Sequence, residues 1–314
     1  MENSPSNPSS RRNWGRFALL GGILLLAGLI NYFGWGELTL CLTGARPVPL
    51  FLMTVLILSG FWIRAWKWHY ALGEGNNGIG LFFLAKMAGN WSPGRVGELA
   101  PLLLLSHRTP RVAAWILADR VLEIAFTLWL GMLGLAALGH IPRAGALLLA
   151  ALTALGLLVL RAGFREWNPP IDESSPTPQT VRGHARRWTL LLYHEARVLG
   201  RHKLPVILLT TLVAKLTDIY TVVLLCRAFG YDASFLLVCA ARCAHALVSG
   251  IPVTPDATGV PYMAAGWVLH QYAGIPAATL TAALALEAGA INLLLWLSSM
   301  VGMLGLRRAA NPRD

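Results

Sequence analysis

Charge is scarce in this 314-residue chain. Only 13% of its residues are charged, about half the ~25% of an average soluble domain. Cysteine is scarce too. Cys41, Cys226, Cys239 and Cys243 are too few and too apolar in setting for a disulfide framework or a zinc site. Cys239 and Cys243 stand one helical turn apart, but no second pair and no well-placed histidines complete a tetrahedral set. No metal or cofactor is expected on these grounds. Hydrophobic residues, by contrast, make up 55% and the mean hydropathy is +0.56. That composition excludes disordered, collagen-like and disulfide-stapled chains and speaks against a water-soluble enzyme. The formal net charge of +11 does not require nucleic acid as a partner, because basic residues also orient membrane proteins.

Apolar runs near the ~20 residues that cross a bilayer core fall at Phe17–Phe33, Val48–Ile63, Val112–Leu138, Ala144–Leu160, Leu204–Cys226 and Ala277–Leu306. Arg11, Arg12 and Arg16 precede the first, which lacks a small-residue cleavage pattern and so reads as a span. Arg64 and Lys67 follow the second, Arg108 and Arg111 precede the third, and Arg161–Lys203 is the most basic stretch. Arg307, Arg308 and Arg313 close the chain, whereas Arg46, Arg143 and Arg227 fall on the other side. The asymmetry predicts both termini in the cytoplasm. Trp62, Trp66, Trp68 and Trp91 read as interfacial anchors.

Two segments do not cross. Gly80–Leu105, centred on Ser92-Pro93-Gly94-Arg95-Val96-Gly97-Glu98, lies between two cytoplasmic ends. Ser234–His270, centred on Pro255-Asp256-Ala257-Thr258-Gly259, lies between two outer ends. Both read as re-entrant helical hairpins, since irregular backbone at membrane depth is tolerated only inside protein or facing water. Each tip has a Pro-x-x-x-Gly pattern, and each hairpin is followed by a proline-started helix carrying an acid about three turns in. The endings Leu130-Gly131-Met132-Leu133-Gly134-Leu135 and Val301-Gly302-Met303-Leu304-Gly305-Leu306 also correspond. The expected fold is therefore an all-α integral membrane protein, a polytopic bundle of about six spans plus two re-entrant hairpins in an inverted repeat.

The expected divisions are a disordered stretch over 1–10, a first membrane half over 11–162 with its hairpin at 80–105, and a flexible cytoplasmic linker over 163–185 containing Pro169, Pro170, Pro176 and Pro178. An amphipathic helix near 186–202 and the second half, with its hairpin at 234–270, extend to 308, and a tail covers 309–314.

Ionisable groups inside spans are costly and need a partner or a task. At 1.5 Å per residue, Glu123 lies roughly 17 Å into its span, with Asp119 one turn earlier on the same face and Arg120 able to pair at i,i+3. Arg95 and Glu98 reach a similar depth from the first tip. Asp256 and Glu287 arrive from the other side, with Arg242 and His245 on the second hairpin's first arm. Pro93, Gly94, Arg95, Gly97, Glu98, Asp119, Arg120, Glu123, Arg242, Asp256 and Glu287 are thus the substrate-site candidates. No residue is assigned a catalytic role. Lys215 and Asp218 read as a structural i,i+3 ion pair, Lys86 as a snorkelling lysine, and His245 as a hydrogen-bonded bundle residue. Glu123 and Glu287, from opposite halves, are expected to face one polar cavity, with Asp119 on its cytoplasmic side.

Ser92-Pro93-Gly94-Arg95-Val96-Gly97-Glu98, then Ala118-Asp119-Arg120, together with Arg64-Ala65-Trp66-Lys67-Trp68, resemble the flippase-like membrane domain of bacterial lysylphosphatidylglycerol synthases and related stand-alone proteins. That family carries a P-G-R-x-G-E tip, a D-R pair and an R-x-x-x-W element. In the second half the family's P-G-G-x-G-x-x-E is replaced by Pro255-Asp256-Ala257-Thr258-Gly259-Val260-Pro261-Tyr262, and Glu287 stands where an arginine is usual. The resemblance implies a bacterial inner-membrane protein that moves a phospholipid, isoprenoid-linked or glycolipid headgroup. Its partners would be membrane lipids with an anionic or lipid-linked headgroup, with a lipid-biosynthesis enzyme as a further candidate. The synthases' aminoacyl-transferase domain is expected to be absent, so aminoacylation is not implied. A membrane-embedded lipid-modifying transferase and a non-catalytic subunit of an envelope pathway are the alternatives.

Overall fold

The computed structural model describes residues 35–73, 77–90, 92, 96–104, 109–139, most of 142–154, 181–249 and 260–310. These residues form helices and connecting turns, without a strand among them. The helices are α1 (Trp35–Thr43), α2 (Pro47–Leu72), α3 (Gly78–Asn90), a 3₁₀ turn (Val96–Leu99), α4 (Ala100–Leu104), α5 (Thr109–Ala137), α6 (Val181–Ala228), α7 (Phe235–Ser249), α8 (Val260–Ala273) and α9 (Ala277–Ala310). Among the described residues, four stretches are long and apolar enough to cross a membrane: Pro47–Leu72, Val112–Ala137, Lys203–Ala228 and Ala277–Gly302. The chain is an all-α, multi-pass membrane bundle. The span expected at 17–33, the 1–10 stretch, nearly all of the linker and the last four residues lie outside the described residues, as does much of 144–160.

Two helices extend at least nine residues beyond their apolar runs. The run ending at Ile63 continues as helix to Leu72, and the run starting at Leu204 is the second part of a 48-residue helix that begins at Val181. Pro205 sits inside α6, where its missing N–H deletes one backbone bond. The segment expected as a separate amphipathic helix is therefore continuous with the span that follows.

Helix directions follow from cross-links. The Arg46 N–H donates to Ala228 O at 2.8 Å, and Lys203 Nζ donates to Tyr70 O at 2.5 Å, so α2 and the Lys203–Ala228 part of α6 run antiparallel. Along α2, Arg64 meets Glu123 and Lys67 meets Asp119, while the Trp68 and Trp115 rings lie 6.4 Å apart. Hence α5 runs opposite to α2 and begins on the side where α2 ends. The intervening α3–α4 segment returns to the side it left. In the other half, Cys41 Sγ lies 3.9 Å from Thr279 Oγ1, placing the start of α9 near the start of α2. That is also the side where α6 ends, so α7 and α8 leave and return on this opposite side.

The two halves interlock reciprocally: α5 packs on α7, and α9 packs on α3. Matching glycines allow both contacts. A Cβ on Gly131 of α5 would fall 2.1 Å from Cys243 Cβ on α7, and one on Gly302 of α9 would fall 2.8 Å from Phe83 Cδ2 on α3. Gly131 and Gly302 are the same position of the repeated ending read in the sequence. One apolar core gathers Trp68, Leu81, Phe82, Phe83 and Trp115, and another gathers Ile219, Val238, Leu269 and Leu280.

Candidate functional site

In the first hairpin, Ser92 is tied both to the end of α3 and to the start of the 3₁₀ turn. The Gly97 N–H donates to Ser92 Oγ at 2.6 Å, and Ser92 N–H donates to Gly89 O at 3.2 Å. The turn lies so close to α3 that Glu98 is carried alongside Gly89, where a Cβ would meet Glu98 Cγ at 2.4 Å. The carboxylate is thereby placed among cations. Arg120 pairs with it, and Lys86 Nζ lies 3.7 Å from Oε1. Glu123, one turn beyond Arg120, accepts from Arg64 Nε at 3.3 Å and has Lys86 Nζ at 3.8 Å and Arg120 Nη1 at 3.6 Å from its other oxygen. Lys86 is therefore part of the charge cluster and not a snorkelling lysine. The sequence reading missed it because its two carboxylates lie on other elements.

Arg64 joins the halves. Besides Glu123 on α5, it donates to Asp218 Oδ2 at 2.5 Å and to Ala214 O at 3.2 Å on α6. Lys215 lies 3.9 Å from that same Asp218 oxygen. Asp218 is thus principally the partner of Arg64, and the expected Lys215–Asp218 pair is the longer contact. Arg242 pairs with Glu287 and reaches the Asp218 carbonyl at 3.4 Å. Hydropathy alone puts Arg64 and Lys67 outside the bilayer, flanking a shorter span. Both are buried, at 8% and 1% exposure, because the helix runs on for nine residues past Ile63.

A cavity of about 660 Å³ lies amid these groups, bordered by α2, α3, the 3₁₀ turn, α5, α6, α7, α8 and α9. Arg64, Lys86, Glu98, Arg120, Glu123, Lys215, Asp218 and Arg242 all line it, as do His245 and Tyr262. The rings of His245 and Tyr262 meet edge to face at 4.9 Å across the two arms of the second hairpin. Tyr262 therefore occupies the cavity wall at the position where the resemblance implies a glutamate. Asn90, at the end of α3, donates to Asn292 Oδ1 on α9 at 3.2 Å and also borders the cavity.

Two candidates stand apart from this cavity. Asp119 is held by Lys67 at 2.5 Å and by Trp68 Nε1 at 2.9 Å, while Lys67 also donates to Thr211 at 3.2 Å. It faces α2 in the core and does not line the cavity. Trp68, expected as an interfacial anchor, is 2% exposed and serves as that buried donor. Glu287 is fully buried behind Arg242 and lines a separate pocket of about 40 Å³ with Arg64, Asp218 and Arg242. Glu123 and Glu287 thus do not share the large cavity. Pro93, Gly94, Arg95 and Asp256 lie outside the described residues. Gly97 acts through close packing.

No curated protein and no solved structure matches the chain. Residues 14–302, nearly the whole length, match the family described as the lysylphosphatidylglycerol synthase TM region, and the chain belongs to that family.

Proposed function

We propose that this protein translocates a lipid or lipid-linked headgroup across the bilayer, with the hydrocarbon tails remaining in the membrane. The observation that carries the reading is the charged cavity of about 660 Å³ between two helix sets of opposite sense. Charges buried in a spanning bundle mark substrate or ion pathways more often than scaffolding. The cavity's α5 wall is continuous with a face suited to acyl chains. Leu117 and Ile124 line it and are each 53% exposed, and Val121 between them is 62% exposed. These residues share one helical stripe at i, i+4 and i+7. A headgroup can therefore occupy the polar interior while its tails lie along α5.

Membership in the family supports the same reading. In this account both termini and the basic 161–203 stretch are cytoplasmic, the membrane is the bacterial inner membrane, and the hairpins at 80–105 and 234–270 approach the site from opposite faces. Liposomes containing the full chain and a panel of fluorescent lipids test it, with movement read by quenching from outside. At least one lipid is expected to cross faster than in protein-free vesicles. Glu98→Gln or Arg95→Ala should abolish that movement in a chain that still inserts. No acceleration for any lipid class would overturn the proposal.

A further inference from the structure

Five cations line the cavity: Arg64, Lys86, Arg120, Lys215 and Arg242. Three carboxylates, Glu98, Glu123 and Asp218, line it with them. A fourth, Glu287, sits directly behind Arg242. Among the described residues this group carries one positive charge in excess.

The geometry locates the excess. Arg64 is bound to Glu123 and Asp218, Lys86 lies between Glu98 and Glu123, Arg120 is on Glu98, and Arg242 is on Glu287. Among the described residues Lys215 makes one ion-pair contact within 4 Å, to Asp218 at 3.9 Å, and the oxygen it faces is already held by Arg64 at 2.5 Å. The Lys215 side chain is 16% exposed. An ammonium offers three donors, and taking one out of water without a close anion is unfavourable. Charge-assisted bonds to an oxyanion would repay that cost.

We propose that the cavity selects a headgroup bearing one phosphodiester charge and no compensating ammonium, and that Lys215 is its principal phosphate contact. The inference deepens the headgroup reading and rests on it for the cavity's occupant. A phosphodiester carries the single negative charge that neutralises the cluster. A zwitterionic headgroup brings a second, positive charge among five cations and leaves the excess in place.

Binding tests this separately from movement. The purified full chain in neutral detergent is titrated with dihexadecyl phosphate, a minimal phosphodiester lipid, with phosphatidylcholine, and with water-soluble dimethyl phosphate, and bound ligand is read by native mass spectrometry. Dihexadecyl phosphate is expected to bind at least tenfold more tightly than phosphatidylcholine. Lys215→Gln should remove that preference and Lys215→Arg should keep it, the second variant showing that the position accepts a replacement. Dimethyl phosphate is expected to bind more weakly than the lipid and with the same dependence on Lys215. Equal affinity of the soluble and lipid forms would assign the same oxyanion site to a free phosphodiester. Equal binding of the two lipids, or an unchanged preference in Lys215→Gln, overturns the inference. A chain that binds as described but accelerates no lipid in liposomes would refute translocation and leave this site standing.

Discussion

Gly97 admits no side chain, because a Cβ there would lie 2.0 Å from the Ala88 carbonyl oxygen and 2.4 Å from its carbon. Backbone cannot yield as a flexible side chain can, so Gly97→Ala should push the tip away from α3 and take Glu98 out of reach of Lys86. The expected outcome is loss of lipid movement with insertion retained, measured on the same liposomes as wild type. Lys86→Gln is expected to impair movement as well, since it removes a cation 3.7 and 3.8 Å from two carboxylates. The buried pair Lys67–Asp119 belongs to a different class, because it closes on Trp68 and Thr211 away from the cavity. Removing one partner of such a pair costs about 3–5 kcal/mol, whereas replacing both by apolar residues is often near neutral. Lys67→Met should therefore lower the thermal midpoint in detergent clearly, and Lys67→Met with Asp119→Leu should recover part of it, the remainder being the Trp68 N–H left without its acceptor. At this scale the sequence disclosed which groups were buried acids, because carboxylates within apolar runs are visible directly. It disclosed the pair made within one helix, Arg120 with Glu123, but not the cross-helix partners of Arg64 and Trp68, which lie 51 to 154 positions away along the chain.

Helix α2 explains the main difference between the sequence reading and the fold. Its 26 residues measure roughly 39 Å at 1.5 Å each, and Arg64, Lys67 and Trp68 occupy its last third. A hydropathy reading ends the span at the first cation, and a lysine or tryptophan beyond that point has the composition of a membrane interface. Only the acids on α5 and α6 distinguish a flanking cation from a buried one. The orientation argument loses Arg64 and Lys67 but keeps the N-terminal arginines, the 161–203 stretch and the C-terminal arginines. A single cysteine at Ser175 should accordingly be protected from an impermeant thiol reagent added to intact cells. Modification from outside would invert the topology. The four long spans found among the described residues were legible, since uninterrupted apolar length is a local property, whereas the breaks read at Pro93 and at Pro255–Gly259 lie outside the described residues. The continuity of α6 through Pro205 was not, because proline ordinarily marks a helix boundary. Close helix approach was legible only as a repeated Gly-Met-Leu-Gly-Leu ending. The structure assigns it to the α5–α7 and α9–α3 contacts, so Gly131→Val should lower the thermal midpoint by colliding with Cys243.

On the scale of the whole molecule, two helix sets of opposite sense enclose a charged chamber, and Arg64 ties them together through Glu123 on one side and Asp218 on the other. The halves are related in plan but not in chemistry. The first supplies a hairpin acid, Glu98, while the second presents Tyr262 and His245 to the cavity and buries Glu287 against Arg242. Such asymmetry suits the anionic headgroup proposed for this chamber. The most direct test of translocation through this chamber is the rate at which fluorescent lipid crosses liposomes holding wild type, Glu98→Gln or Glu287→Gln. The account predicts that wild type accelerates crossing of an anionic phosphodiester lipid and that Glu98→Gln, altered in the cavity wall, returns the rate to that of empty vesicles. Glu287→Gln, altered behind the wall, should retain part of the acceleration. Crossing at the wild-type rate in Glu98→Gln, or no acceleration by wild type, would contradict it.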